Sequence, residues 1–442
     1  MIGRLALRTV RTRIPAYLAS GSAMFAGTAL LTAFAALAET GYSSASEALG
    51  MLAVIMGGWT VVVVAFGVVS TVSLVIQQRE HELALLRAVG TTPGQVRRMV
   101  VVETVAVAIP AVILGVPPGI GLGSFLLDRM TGLGVVTTGG LVATWRTVVA
   151  GATVALLSAA LASVFAGRRA ARVAPVRALA GAADAPDHAT ALSRTKLWLG
   201  GVFVLAGIGT GIGTLAMPDG PLLGAAAGPA CIATAIGLAL LSPAVVAAVC
   251  RAADWLPGGV GRLALRNLGA RAPRAGTIIG PLTLLVGIAV GTLYMQSTED
   301  STAATRPPDD IGPQFAAANY LIVAMIIAFC AIAVTNSLIA ATWHRRREFG
   351  LLRLTASTRQ QVLGMVAVET IVSAVVAIVL GSLAALTTTI PYSLVKTRSP
   401  IPGGPLWMYL AIIAGAAAIT AAATLLPTLR ATRQQPITAL TN

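Results

Sequence analysis

The chain has 442 residues, 56% of them apolar and only 11% charged, far below the roughly 25% charge of soluble proteins. A formal net charge of +15 would suit a nucleic-acid binder, but its placement along the chain argues against that partner. Cys231, Cys250 and Cys330 all fall inside apolar runs, where they act as small hydrophobes and form neither a disulfide frame nor a metal set.

The chain opens on the basic stretch MIGRLALRTVRTRIP, with no short apolar segment and cleavage site after it, so no cleaved signal peptide is expected. Arg4, Arg8 and Arg11 recur at helical spacing, which reads as a helix lying on the inner membrane surface or as charge that simply sets the topology, two compatible readings. Ten apolar runs of spanning length come next, near 15–38, 51–76, 100–127, 144–167, 197–217, 222–250, 276–297, 317–342, 361–390 and 406–427. The expected fold class is therefore an all-α polytopic membrane protein. With the N-terminus inside, all but five of the 31 basic residues lie on the cytoplasmic side. The exceptions are Arg129, Arg146, Arg306, Lys396 and Arg398. The positive charge is thus mostly topological, and no nucleic-acid role is expected.

Span two holds no Gly or Pro between Val68 and Val89. A helix from Met51 to Val89 would be about 58 Å long at 1.5 Å per residue, against a hydrocarbon core about 30 Å thick. The expectation is a rigid stalk projecting into the cytoplasm, capped by Gly90, with Thr92 and Pro93 starting the next helix. Leu83 and Leu86 share one face of that stalk.

The stretch REHELALLRAVGTTPGQVRRMVVVET at Arg79–Thr104 returns as RRREFGLLRLTASTRQQVLGMVAVET at Arg345–Thr370. GRLALR at Gly3–Arg8 returns at Gly261–Arg266, and RAARVAPVRAL at Arg169–Leu179 is echoed by RATRQQPITAL at Arg430–Leu440. Four spans repeat, with an unrelated pair between them, in a 4+2+4 order. The predicted units are 1–181, a linker with two spans at 182–260, and 261–442. Both units start inside, so the repeat is parallel rather than the inverted kind common in secondary transporters.

Glu103 and Glu369 each enter an apolar helix, where a carboxylate needs a partner. They are predicted to brace hairpin to span, with Arg87 or Arg353 as the cation. The copies also differ. Pro110, Pro117 and Pro118 of span three correspond to Val376, Leu383 and Ala384 of span nine, Gly90 becomes Ala356, and Pro93 becomes Arg359. The second hairpin is therefore expected to turn differently. GIGTGIG at Gly207–Gly213 allows close helix contact. His81, His188 and His344 are scattered and form no metal pair. No G-x-x-x-x-G-K-[ST] motif occurs, so no phosphate loop, no ATPase activity and no cofactor are expected on this chain.

The doubled stretch resembles the cytoplasmic signature of FtsX-like permeases, which include macrolide exporters and lipoprotein extractors. Glu82, Leu85, Leu86, Arg87, Gly90 and Glu103 match it in the first copy; Glu348, Gly350, Leu351, Leu352, Arg353 and Glu369 match in the second. Pro175 and Pro436 resemble the family's closing P-x-x-A-L. The ten-span layout is also similar to bacitracin-resistance permeases, without their large outer domain.

The resemblance implies the membrane subunit of an ABC transporter in the cell membrane, with both termini cytoplasmic. Two separate ATPase copies, carrying ATP and Mg, would contact Glu82, Leu83, Leu86, Arg87, Gly90, Thr92 and Pro93 in one hairpin. In the other they would contact Glu348, Phe349, Leu352, Arg353 and Thr358. The implied activity is export or extraction of an amphiphilic peptide, antibiotic or lipid, with an accessory outer protein left open. Two alternatives stand beside it: a non-transporting regulator of an outer hydrolase or sensor kinase, and a proton-coupled secondary transporter.

Overall fold

The computed structural model describes residues 14–44, 46–136, 139–172, 194–252, 259–302, 312–344 and 358–433. Among the described residues the regular elements are all helices: α1 Ile14–Ser43, α2 Glu47–Gln78, α3 Glu80–Ala88, α4 Pro93–Gly132, α5 Trp145–Arg172, α6 Arg194–Thr214, α7 Pro221–Ala252, α8 Gly259–Ala270, α9 Ala272–Ser301, α10 Gly312–His344, α11 Arg359–Thr397 and α12 Leu406–Arg433. Ten of these are long and apolar enough to span a bilayer, as the hydropathy pattern predicts. The other two, α3 and α8, are short and sit at the end predicted to be cytoplasmic.

Each repeat packs around its first span. α1 touches α2, α4 and α5; α9 touches α10, α11 and α12, and is the most enclosed span of all. Glycine sets the close approach in both. A Cβ on Gly115 of α4 would lie 3.0 Å from Thr28 Cβ of α1, and one on Gly381 of α11 would lie 2.7 Å from Val286 Cβ of α9. The halves meet where α10 lies on α1 and α2. Phe329 fills the space over Gly67 there, and Asn336 Nδ2 donates to Ser22 Oγ at 2.7 Å.

The unrelated pair, α6 and α7, is not placed symmetrically. α6 turns Gly200, Gly207 and Gly211 inward and shows Trp198, Leu205 and Ile212 outward. A Cβ on Gly207 would lie 2.1 Å from Thr234 Oγ1 of α7, so glycine is required for the contact. α7 then packs on α9 and α11 of the second repeat. There Thr388 Oγ1 donates to the Ala227 carbonyl at 2.6 Å, and the Thr234 and Thr387 hydroxyls lie 3.1 Å apart.

The helix α8 buries Ala264, Leu265 and Leu268 and exposes Arg262, Leu263 and Arg266, the amphipathic pattern of a surface elbow. Its predicted counterpart around Arg4, Arg8 and Arg11 lies outside the described residues, as do Pro175 and Pro436. At the opposite end from α3 stand basic residues that depart from the charge rule. Lys396 Nζ reaches Asp219 Oδ1 at 2.5 Å and Glu299 Oε2 at 2.8 Å, and Tyr392 also donates to Glu299 at 2.6 Å. Arg129 lies over the Phe125 ring at 5.2 Å and Arg146 over Trp145 at 5.9 Å. These contacts hold the cations locally.

The stalk is not the unbroken rod that the sequence predicts. α2 ends at Gln78, and Arg79 takes φ −107° and ψ 6°, donating its N–H to the Ile76 carbonyl before α3 begins. The rod has a joint at the residue that begins the repeated stretch.

Candidate coupling hairpin

The hairpin is built from α3, a turn at Val89–Thr92, and the first turns of α4. α3 ends in a Schellman-type closure: the Thr91 N–H reaches the Leu86 carbonyl at 3.2 Å and the Gly90 N–H reaches the Arg87 carbonyl at 3.1 Å. Gly90 has φ +106°, a conformation that a side chain would strain. Thr92 then caps α4 with a reciprocal box. Its hydroxyl accepts from the Gln95 N–H at 3.3 Å, its own N–H donates to Gln95 Oε1 at 2.9 Å, and Pro93 occupies the first helical position.

The joint at Arg79 is explained by its side chain. Arg79 Nη1 forms an ion pair with Glu103 Oε2 of α4, and Arg79 Nε lies 3.4 Å from Glu82 Oε2 of α3. Arg79 is 8% exposed and Glu103 2%. One guanidinium thereby ties the stalk, the tip helix and span three together. A cavity of about 20 Å³, lined by Ser20, Val72, Leu83, Val100 and Thr104 among others, adjoins the pair. Removing either partner would strand a buried charge. The predicted brace at Glu103 thus has Arg79 as its cation, a residue to which the sequence alone assigned no such role. The available signal was simple: a carboxylate inside an apolar helix demands a cation, and Arg79 is the first one after the apolar run of span two.

The tip also presents different leucines from those expected. Leu83 is 1% exposed and faces the cavity, and Leu86 packs against the core, so neither makes the outward apolar surface. That surface comes from Leu85, 41% exposed, and Val89, 89% exposed, four residues apart on one face. Glu82 and Arg87 are partly exposed, Gly90 and Pro93 exposed, and Thr92 as well, with Arg97 and Arg98 exposed beside them.

In the second copy Glu348, Phe349, Leu352, Arg353 and Ala356 lie outside the described residues. From Thr358 onward the second copy mirrors the first. Thr358 accepts from the Gln361 N–H at 3.2 Å and donates its own N–H to Gln361 Oε1 at 2.8 Å. Thr92 has φ −75° and ψ 154°, Thr358 −71° and 155°. At the entry to α11, then, Arg359 in place of Pro93 changes nothing, because the first helical position needs no N–H donor. Glu369, 6% exposed, accepts from Asn267 Nδ2 of α8 at 2.7 Å. The elbow helix therefore reaches this carboxylate, while Arg353, the partner predicted for it, lies outside the described residues.

A family model for the C-terminal domain of FtsX-like permeases matches residues 54–175 and 320–436, together more than half of the chain and including both copies of the repeated stretch. The chain belongs to the FtsX-like permease family. No curated protein gives a significant match. Members of this family are membrane subunits without an ATPase of their own and work with separate ABC ATPases. The permease is accordingly a multi-pass membrane protein of the ABC transporter class.

Proposed function

We propose that the permease couples ATP hydrolysis by two separate ATPase copies, with ATP and Mg held on those subunits, to export or membrane extraction of an amphiphilic substrate. The carrying observation is the first hairpin: an exposed apolar pair, Leu85 and Val89, on a tip helix whose root is locked to span three by Arg79 and Glu103. Force applied at the tip is transmitted through that ion pair to α2 and α4 at once. The second hairpin is the other ATPase site, and both termini are cytoplasmic.

The amphiphilic substrate class is supported by charge placement. Among the described residues, Arg79, Glu103 and Glu369 sit at one end of the bundle, Glu39, Glu299 and Lys396 at the other, and the middle of the spans is uncharged. This leaves no mid-membrane carboxylate for proton coupling.

The test is the Leu85→Asp and Val89→Asp double variant, purified with the cognate ATPase. It keeps its fold, because both side chains are exposed, but loses ATPase binding by roughly a hundredfold, as expected for placing unpaired carboxylates in a contact. Native mass of the unaltered complex gives two ATPase copies per chain. Normal assembly and turnover of the double variant would end this reading.

A further inference from the structure

Spans three and nine occupy matching places, yet span nine buries an additional stripe. Val376, Leu380, Ala384 and Thr388 are all buried on α11, whereas their counterparts on α4, Pro110, Leu114 and Pro118, are exposed and Leu122 is partly so. The stripe on span nine is the face that α6 and α7 cover. The same face of span three has nothing packed on it among the described residues.

Backbone chemistry marks that face independently. Proline has no N–H, so Pro110, Pro117 and Pro118 remove the regular helix donors of the Ala106, Ile113 and Leu114 carbonyls. The Leu114 carbonyl loses its i+3 donor as well as its i+4 donor, since Pro117 and Pro118 are adjacent. No described side chain donates to any of the three. Ile113 and Leu114 are 63% and 64% exposed, at membrane depth, where an unsatisfied carbonyl is costly. Two other proline-freed carbonyls are covered. Pro243 frees the Ala239 carbonyl, which accepts from Ser242 Oγ at 2.7 Å. Pro391 frees the Thr387 carbonyl, which lies against Gly211 of α6, so close that a Cβ there would be 2.2 Å away. At Pro391, in the second repeat, a glycine-faced membrane helix lies against the freed carbonyl.

We propose that the Pro110–Gly121 face of span three docks a transmembrane helix of a separate partner, one presenting glycine and hydroxyl side chains, as the counterpart of what α6 and α7 do for span nine. Glycine permits the approach over the proline rings, and Ser or Thr supplies the missing donors. The inference rests on packing and backbone chemistry and stands whether or not the permease exports an amphiphile.

The experiment uses the full chain in lipid vesicles with p-benzoylphenylalanine at Ile113, or at the matched exposed residue Val379 as control. The probes are two synthetic transmembrane peptides, one all-leucine and one with a Gly/Ser stripe. Photo-cross-linking at position 113 should favour the Gly/Ser peptide roughly tenfold, the worth of two or three interhelical hydrogen bonds in a membrane. Position 379 should show no preference. Pro117→Ala with Pro118→Ala restores two helix donors and should abolish the preference while leaving the helix intact. Equal labelling by both peptides at position 113, labelling of lipid alone, cross-linking of one copy of the chain to another through this face, or a preference that survives the alanine variant would each overturn the proposal.

Discussion

At their cytoplasmic ends α4 and α11 are assembled from the same parts: a threonine cap, a glutamine three residues on, and a buried glutamate two to three turns further along. Above that point they diverge. Among the described contacts Glu103 is held by Arg79, a cation at the root of the same hairpin, and Glu369 accepts from Asn267, an amide on the elbow helix; Arg345, the match of Arg79 in the second copy, lies outside the described residues. Further along, α11 is covered by the unrelated pair of spans while the proline-bearing α4 is not, among the described residues. The comparison teaches that duplication preserved the device fixing the hairpin's entry angle while the cover further along the span came to differ. A capping box needs only two side chains and local backbone, so it survives the change of Pro93 to Arg359. A buried carboxylate needs a partner from another element, so its partner depends on whatever packs nearby.

The largest test of this comparison targets the carboxylate partners. Arg79→Ala should destabilise the permease by about 3–5 kcal/mol, the cost of leaving a buried charge without its partner. Asn267→Ala, which removes one hydrogen bond to a carboxylate, should cost about 2 kcal/mol. Thermal unfolding in detergent reads both. The Arg79→Leu and Glu103→Leu double variant should recover most of the loss. A loss for Asn267→Ala as large as that for Arg79→Ala would show that the amide on the elbow helix is worth more than a single hydrogen bond.

A second comparison concerns the outer ends. Lys396→Met leaves Glu299 and Asp219 without their shared cation and frees the α6–α7 loop from span nine. Because Asp219 is largely exposed, water takes over part of the interaction, and the loss should be about 1–2 kcal/mol. Glu39→Gln at the outer end of the first repeat should cost less. Glu39 accepts only from the Thr144 and Thr147 hydroxyls and the Thr144 N–H among the contacts described, and an amide oxygen still accepts. Proteolysis of the outer loops measures whether the α6–α7 turn opens in the first variant and stays closed in the second.

Smaller again is Gly90→Ala. With φ at +106° a Cβ is strained, although nothing lies within 4 Å of it, so the penalty is backbone alone, about 1 kcal/mol. Hydrogen exchange across Ala88–Gln95 should accelerate while the spans keep their protection.

Much of this architecture was legible in the sequence, since membrane spans are read from length and hydropathy and the repeat from plain identity. The glycine cap at Gly90 and the Thr92 box were also legible because they are local. The joint at Arg79 was not. Helix propensity runs unbroken through QQREHELALL, and only the long-range demand of Glu103, 24 residues on, pulls the chain out of line. The inward turn of Leu83 is not legible for the same reason: a two-faced helix of nine residues does not say which face meets the bundle, and the ion pair decides it. The placement of α6 and α7 against the second repeat rests on Gly211 meeting the Thr387 carbonyl and on Thr388 donating to the Ala227 carbonyl, pairings that no periodicity records.

The smallest expected effect is also the one on which the two copies should agree. Thr92→Ala and Thr358→Ala each remove a side-chain acceptor from the first turn of a helix and leave the N–H of Gln95 or Gln361 to water. Both caps are exposed and share the same backbone angles within a few degrees, so each variant should lose about 1 kcal/mol and the two losses should match within experimental error. Serine at either position should restore most of it, because the hydroxyl alone makes the bond. Hydrogen exchange at Gln95 and Gln361 isolates the effect from the rest of the bundle. If Thr92→Ala is severe and Thr358→Ala silent, the equivalence of the two helix entries is only geometric, and the first hairpin carries a demand on its cap that the second does not.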